Sequence, residues 1–237
     1  MLLSRMPSGD PEIFATVQGE GPSCGTPAVF VRLAECNLRC AWCDTKYTWD
    51  WANHDKAKET TELADDALVA RVRSAAGEKT RTVVVTGGEP LLQQAELGPV
   101  LRALDDEGFA IEIETNGTIA PTGELAALVD RWNVSPKLAG SGNSLKARHR
   151  PTALAAFASL PNATFKLVVG SREELAEADE LARGLDVSPE RIVLMPEGTD
   201  HATLAERSRW LADECVRRGF RLGARLHVFV WGAERGR

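Results

Sequence analysis

Short apolar runs alternate along this chain with longer stretches whose apolar residues recur every three or four positions. PAVFVRL (27–33) is dense in β-branched and aromatic residues and predicts a strand. RTVVVT (81–86), FAIEIET (109–115), WNVS (132–135), ATFKLVV (163–169), RIVLMP (191–196) and RLHVFVW (225–231) predict further strands by the same signs. Helical spacing fills the gaps. ELADDALVARVRSAAG stops near Gly77. PLLQQAELGPVLRALDDEG opens on Pro90, carries a kink signal at Gly98 and Pro99, and stops at Gly108. ELAALV and TALAAFASL are shorter helices. SREELAEADELARGL begins with the capping box Ser171 and Glu174, and HATLAERSRWLADECVRRG is the longest helical run.

Strands alternating with helices imply parallel βαβ units and an α/β fold. Six or so units suit a partial (β/α)6-type open barrel, with some helices shortened, better than a closed eightfold barrel, which takes about 250 residues. A doubly wound sheet is the competing arrangement. No repeat or low-complexity linker divides residues 1–237, so one domain is expected, with residues 1–10 as a flexible tail.

In either architecture chemistry gathers at the carboxyl ends of the strands. Polar, glycine-containing segments follow the predicted strands here: Thr86-Gly87-Gly88-Glu89-Pro90, Glu114-Thr115-Asn116-Gly117, Ser135-Pro136-Lys137 and Met195-Pro196-Glu197-Gly198. Loops are polar in any case, but these would share one rim.

Composition narrows the function. The chain is 43% hydrophobic and 26% charged, with a formal net charge of −6. That balance lacks the basic surface of a nucleic-acid binder. No apolar run is long enough to span a bilayer, and MLLSRMPSGD is too short and polar for a secretory signal, so a cytoplasmic protein is expected. Three of the cysteines, Cys36, Cys40 and Cys43, crowd into CNLRCAWC, a poor disulfide framework that reads as a metal or redox site. Cys215 lies in a helical pattern as a small core residue, and Cys24 in a glycine-rich loop has no assigned role.

Three thiolates are one short of a closed structural zinc site, and His54 is too distant to complete a local knuckle. On a four-iron cluster they leave one iron open for a substrate or cofactor group. The Cys-x3-Cys-x2-Cys spacing, with Trp42 before the last cysteine, resembles the radical S-adenosylmethionine (SAM) superfamily. Thr86-Gly87-Gly88-Glu89-Pro90 resembles that superfamily's Gly-Gly-Glu-Pro motif.

Further features narrow the resemblance. EIFATVQGEG (12–21), Arg32 four residues before Cys36, Asp44 and Thr45 after Cys43, and the closing RLHVFVWG are similar to the 7-carboxy-7-deazaguanine synthases, from about residue 11 to the last strand. That resemblance implies a lyase of queuosine and 7-deazapurine biosynthesis. Its substrate is 6-carboxy-5,6,7,8-tetrahydropterin, and its products are 7-carboxy-7-deazaguanine and ammonia. An adenosyl radical removes hydrogen from C6, and Mg2+ assists the ring contraction. It also implies a 4Fe-4S cluster, SAM, an electron donor such as flavodoxin or ferredoxin, and a homodimer.

Residue roles follow from the resemblance. Cys36, Cys40 and Cys43 would ligate the cluster, and Thr45 would bind Mg2+. Arg32 would clamp the substrate carboxylate, for which a planar guanidinium is suited. Val17, Gln18 and Gly19 would contact the pterin edge through backbone and amide groups, helped by Glu20, Thr86 and His227. Trp42, Cys43, Asp44, Gly87, Gly88, Glu89, Ser135, Pro136 and Lys137 would hold SAM. Against each stands a plainer reading: QGEG as a polar turn, Thr45 as a loop residue, Pro136 as the centre of a turn, His227 as a core histidine. Met195 lies where some relatives carry a polar cofactor contact. Two rivals remain: an activase that makes a glycyl radical on a partner protein, and a zinc-bound interaction module without catalysis.

Overall fold

The computed structural model describes residues 1–237. Ten strands form one sheet: β1 (Leu2–Ser4), β2 (Ile13–Val17), β3 (Pro27–Leu33), β4 (Thr60–Glu62), β5 (Thr82–Gly87), β6 (Ala110–Thr115), β7 (Arg131–Val134), β8 (Ala163–Val169), β9 (Ile192–Pro196) and β10 (Arg221–Leu222). The α-helices are α1 (Lys56–Glu59), α2 (Asp65–Ala76), α3 (Gln94–Asp106), α4 (Gly123–Leu128), α5 (Leu145–Arg148), α6 (Pro151–Ala158), α7 (Leu175–Leu185), α8 (His201–Arg218) and α9 (Leu226–Trp231). The order is β10-β9-β8-β7-β6-β5-β3-β1-β4, with β2 also on β3.

Strands β3, β5, β6, β7, β8 and β9 run parallel, the six units of an open barrel. Short β10 extends them, and β1, β2 and β4 pair antiparallel at the other end. The sheet has two distinct ends and does not close through hydrogen-bonded strands. Segments outside the ladder close the gap instead. The Leu226 N–H donates to the Gly19 carbonyl at 2.8 Å, and Arg225 Nε donates to Glu20 Oε1 at 2.9 Å.

Successive side chains of a strand point to opposite faces. Val29, Val31 and Leu33 of β3, Val83 and Val85 of β5, and Phe165, Leu167 and Val169 of β8 face outward. They join Leu68, Val72, Leu101, Leu104, Phe157 and Leu211 of the helices in one core. The opposite face is mixed. Ala28, Phe30 and Val84 pack with Phe14 at one end, Val168, Val193 and Met195 are buried on β8 and β9, and Glu112, Asn133 and Lys166 are buried polar groups between and beside them.

Two expectations are corrected, and one strand was not foreseen. RLHVFVW is not a strand: Leu226–Trp231 is helical, with only Val228 buried. A short apolar run fits either period, and β10 already takes the free edge of β9. Residues 1–10 are not a loose tail, because Leu2–Ser4 pairs with both β3 and β4, and Leu3 and Ser4 are fully buried. Finally, EIFATV forms a strand on β3 that its weak alternation did not reveal.

Candidate active site

The carboxyl ends of the parallel strands open into one cavity. Its wall includes Cys36, Cys40 and Cys43, with Val17, Gln18, Gly19, Glu20, Arg32, Trp42, Asp44, Thr45, Thr86, Gly87, Gly88, Ser135, Lys137 and His227. The structure therefore brings together all the expected site residues but two.

Two expected residues do not reach it. Glu89 is fully buried. Its carboxylate accepts from the Leu91 N–H at 3.0 Å, the Asn116 N–H at 2.7 Å and the Thr115 hydroxyl at 2.8 Å. It fastens the loop after β5 to the loop after β6 instead of facing a ligand. Burial raises its pKa against those hydrogen bonds. Pro136 points to a separate cavity beside α6 and α7.

Gln18 lines the cavity, with most of its amide committed. Nε2 donates to Glu112 at 2.7 Å and to Glu114 at 3.3 Å, while Oε1 accepts from the Glu20 N–H at 3.0 Å. That leaves one lone pair of Oε1 for the expected amide contact to a pterin. Gly19 is forced by closeness: a Cβ there would collide with the His227 ring.

The cysteine loop begins at Glu35, held at a φ of 74°, a left-handed conformation uncommon for glutamate. Its backbone is fixed on both sides, by the Thr48 carbonyl at 2.7 Å and the Glu89 N–H at 2.8 Å. Its carboxylate takes Lys56 at 2.5 Å and Trp51 Nε1 at 3.3 Å. The two glycines after β5 serve the same join. A Cβ on Gly87 would strike the Leu33 backbone, and one on Gly88 would strike the Glu35 carbonyl. Glycine is needed here to press the loop against the cysteines.

All five cysteines are free. Each cluster thiol has an N–H near its sulfur: Leu38 N at 3.4 Å from Cys36, Asn143 Nδ2 at 3.3 Å from Cys40, and Trp49 Nε1 at 3.3 Å from Cys43. Burial pushes the Cys36 thiol up to about 12 and raises Cys40. No three Cys, His, Asp or Glu groups are placed to hold a single metal ion. The set fits a multi-iron cluster, whose thiolates go to different irons: three sulfurs on one wall, N–H donors aimed at them, and Lys137 alongside. Lys137 Nζ donates to Ser135 Oγ at 2.9 Å and lies 5.4 Å from the Trp42 ring centroid.

Across the cavity, Arg32 Nε donates to Glu12 Oε1 at 2.8 Å. Glu12 is fully buried and also accepts from the Tyr47 hydroxyl at 2.9 Å and Arg235 Nε at 3.4 Å. Arg235 stacks on Tyr47, 3.4 Å from the ring centroid. The Nη groups of Arg32 have no protein acceptor, so they are free to bind an anion in the cavity.

A second charge network covers the gap in the barrel. Glu20 pairs with Lys166 and Arg225, and Arg225 also holds Asp44 and donates to the Gly198 carbonyl at 2.6 Å. Burial alone would raise the Glu20 carboxyl, but Lys166 and Arg225 outweigh it and hold it far below the usual range. Burial likewise works against the Lys166 ammonium, and Glu20 and Glu114 reverse it. His227 lies 4.0 Å from Glu20, and burial lowers its pKa. Thr86 Oγ1 donates to Glu114 at 2.8 Å. Thr45 Oγ1 has only the Cys43 sulfur nearby, at 3.6 Å, which leaves its oxygen available to a hard cation.

Glu12, Tyr47, Glu114, Lys166, Arg225 and Arg235 were given no role of their own from the sequence, although Glu12 and Glu114 lie in segments it pointed to. Lys166 did leave a signal, a lone charge inside the apolar run TFKLVV, which a covered strand tolerates only when paired.

An open parallel barrel with three thiols at its carboxyl rim defines the radical SAM class, and the profile described as the Radical SAM superfamily matches residues 32–148. A curated 7-carboxy-7-deazaguanine synthase from Pyrobaculum aerophilum is 41% identical, over 95% of this chain and 96% of its own length. Those of Halobacterium salinarum and Escherichia coli K12 are 36% and 34% identical, over 93% and 92% of this chain and 89% and 96% of theirs. The crystal structure of QueE from Escherichia coli superposes with a TM-score of 0.68 at 31% identity, covering 91% of this chain and 92% of that one. Streptococcus suis SuiB, 14% identical with a TM-score of 0.58 over 81% of this chain and 47% of its own, shares the fold. The chain belongs to the 7-carboxy-7-deazaguanine synthase family.

Proposed function

We infer that this chain converts 6-carboxy-5,6,7,8-tetrahydropterin to 7-carboxy-7-deazaguanine and ammonia, as a radical SAM lyase. The observation that carries the substrate side is Arg32, whose unpaired Nη edge faces the same cavity as the three cysteines. A reduced 4Fe-4S cluster with SAM, when bound by Cys36, Cys40 and Cys43, supplies the hydrogen-abstracting radical.

The chain's own groups do the positioning. Glu12 holds Arg32 by Nε, so the Nη pair can take the pterin carboxylate side-on. Lys137 and Ser135 offer a cation and a hydroxyl to the charged methionyl end of SAM. Trp42 and the backbone of Cys43 and Asp44 line the remainder of that side, with Gly87 and Gly88 opposite. Val17, Gly19, Glu20, Thr86 and His227 form the pterin side. With its pKa lowered by burial, His227 meets substrate as a neutral imidazole near pH 7. Thr45 gives one oxygen to Mg2+, the rest coming from substrate and water. Residues 1–237 act as one domain, in the cytoplasm, as a homodimer fed by flavodoxin or ferredoxin. No helix is long and apolar enough to cross a membrane.

The test is one chromatography–mass spectrometry trace. The protein is reconstituted anaerobically with iron and sulfide, then given SAM, reductant, Mg2+ and the carboxytetrahydropterin. Carboxydeazaguanine is expected. Deoxyadenosine without it, from an intact cluster, would leave the superfamily and reject the substrate.

A further inference from the structure

Two side chains far from the cysteine motif in sequence aim N–H groups at its sulfurs. Trp49 is 7% exposed, and its Nε1 lies 3.3 Å from Cys43 Sγ. Asn143 comes from the segment between β7 and α5, and its Nδ2 lies 3.3 Å from Cys40 Sγ. Both are held in place. Asn143 Oδ1 accepts the Arg39 N–H at 2.8 Å, and the Ala41 N–H donates to the Ser141 carbonyl at 2.9 Å, so the two loops are joined in register. Arg39 lies over the Trp49 ring, 4.7 Å from its centroid, while its Nη1 donates to the Cys36 carbonyl at 2.7 Å. A cation over the indole face draws electron density from the ring and makes its N–H a stronger donor.

We propose that Trp49 and Asn143 set the reduction potential of the cluster by donating N–H groups to the Cys43 and Cys40 thiolates. The inference rests on the cluster reading above. Reduction adds negative charge to the cluster and its ligands. A hydrogen-bond donor stabilises a thiolate more as its charge grows. The donors therefore favour the reduced state and raise the potential. Removing one lowers it. One net hydrogen bond of ordinary strength corresponds to about a fivefold change in the ratio of reduced to oxidised cluster at a fixed poise.

The experiment is a redox titration followed by EPR, on reconstituted protein without SAM or substrate. Wild type should hold about four irons per chain and give a cluster signal; if it does not, the cluster reading itself fails. Given that signal, Trp49→Phe and Asn143→Ala should retain iron and titrate at a more negative potential. Each should show about threefold less reduced cluster at the wild-type midpoint. Trp51→Phe is the control, since its Nε1 bonds to Glu35 and not to sulfur; it should titrate as wild type. Unchanged midpoints in both test variants would overturn the proposal. So would loss of iron from both, which would make these side chains builders of the site and not tuners of it.

Discussion

On the outer face of β8, Phe165, Leu167 and Val169 pack into the helix-covered core, while on the inner face of the same strand Lys166 is buried against Glu20. Strand β6 divides likewise: Ile111 and Ile113 face the helices, whereas Glu112 and Glu114 face the cavity side. The outer face is held by apolar area, which is non-directional and tolerant of similar shapes. The inner face is held largely by pairing, in which a charged or amide group depends on particular partners. Glu112, for instance, accepts from Ser23 at 2.5 Å, Gln18 at 2.7 Å and Asn133 at 2.5 Å. Stability comes mainly from one face of the sheet and function from the other.

Substitutions on the two faces should therefore separate folding from chemistry. Cys40→Ala should give the largest effect, complete loss of SAM cleavage, with an unfolding midpoint close to wild type in cluster-free protein. Phe165→Ala should do the reverse, destabilising by about 4 kcal/mol in denaturant titration while the folded fraction turns over normally. Arg32→Ala should lower product formation about a hundredfold, as loss of a charged clamp implies, yet still allow uncoupled formation of deoxyadenosine. Normal turnover in that variant would reject the clamp.

The smallest effect concerns pH. The His227 pKa is below its ordinary 6.5 in the folded chain because burial disfavours the cation. The unfolded chain then binds the extra proton first, so this histidine's contribution to stability falls as pH drops below about 6.5 and is flat above it. The stability difference between wild type and His227→Gln, followed by chemical denaturation, should vary with pH only on the acid side. Variation on the alkaline side would mean that the imidazole is stabilised as a cation.

Much of the fold was legible because its signals are local. The strands 27–33 and 163–169 lie where their β-branched density put them, and Gly77, Gly108 and Gly219 end helices or their turns. The cysteine spacing and the Gly-Gly pair were equally local. What escaped was non-local. RLHVFVW carries a strand-like composition, but β10 already pairs with β9 and the run coils into α9. Leu2–Ser4 is too short to signal a strand and exists because β3 and β4 flank it. Glu89 sits in a motif that suggested a ligand contact, and three donors from neighbouring loops claim it instead.

The sequence by itself determined the chemistry on offer: three thiols at cluster spacing, an arginine before them, and an alternation of strands and helices that gathers them at one rim. Tertiary structure decided which of those groups are free to act. Burial makes an unpaired polar group costly, and the partners come from distant segments. Glu12 takes the Nε of Arg32 and leaves its Nη edge open, while Glu112 and Glu114 use up Gln18 Nε2. No local pattern encodes that allocation, because it is settled only when the sheet curves and brings residues 12, 32, 112 and 235 within hydrogen-bonding reach of their neighbours.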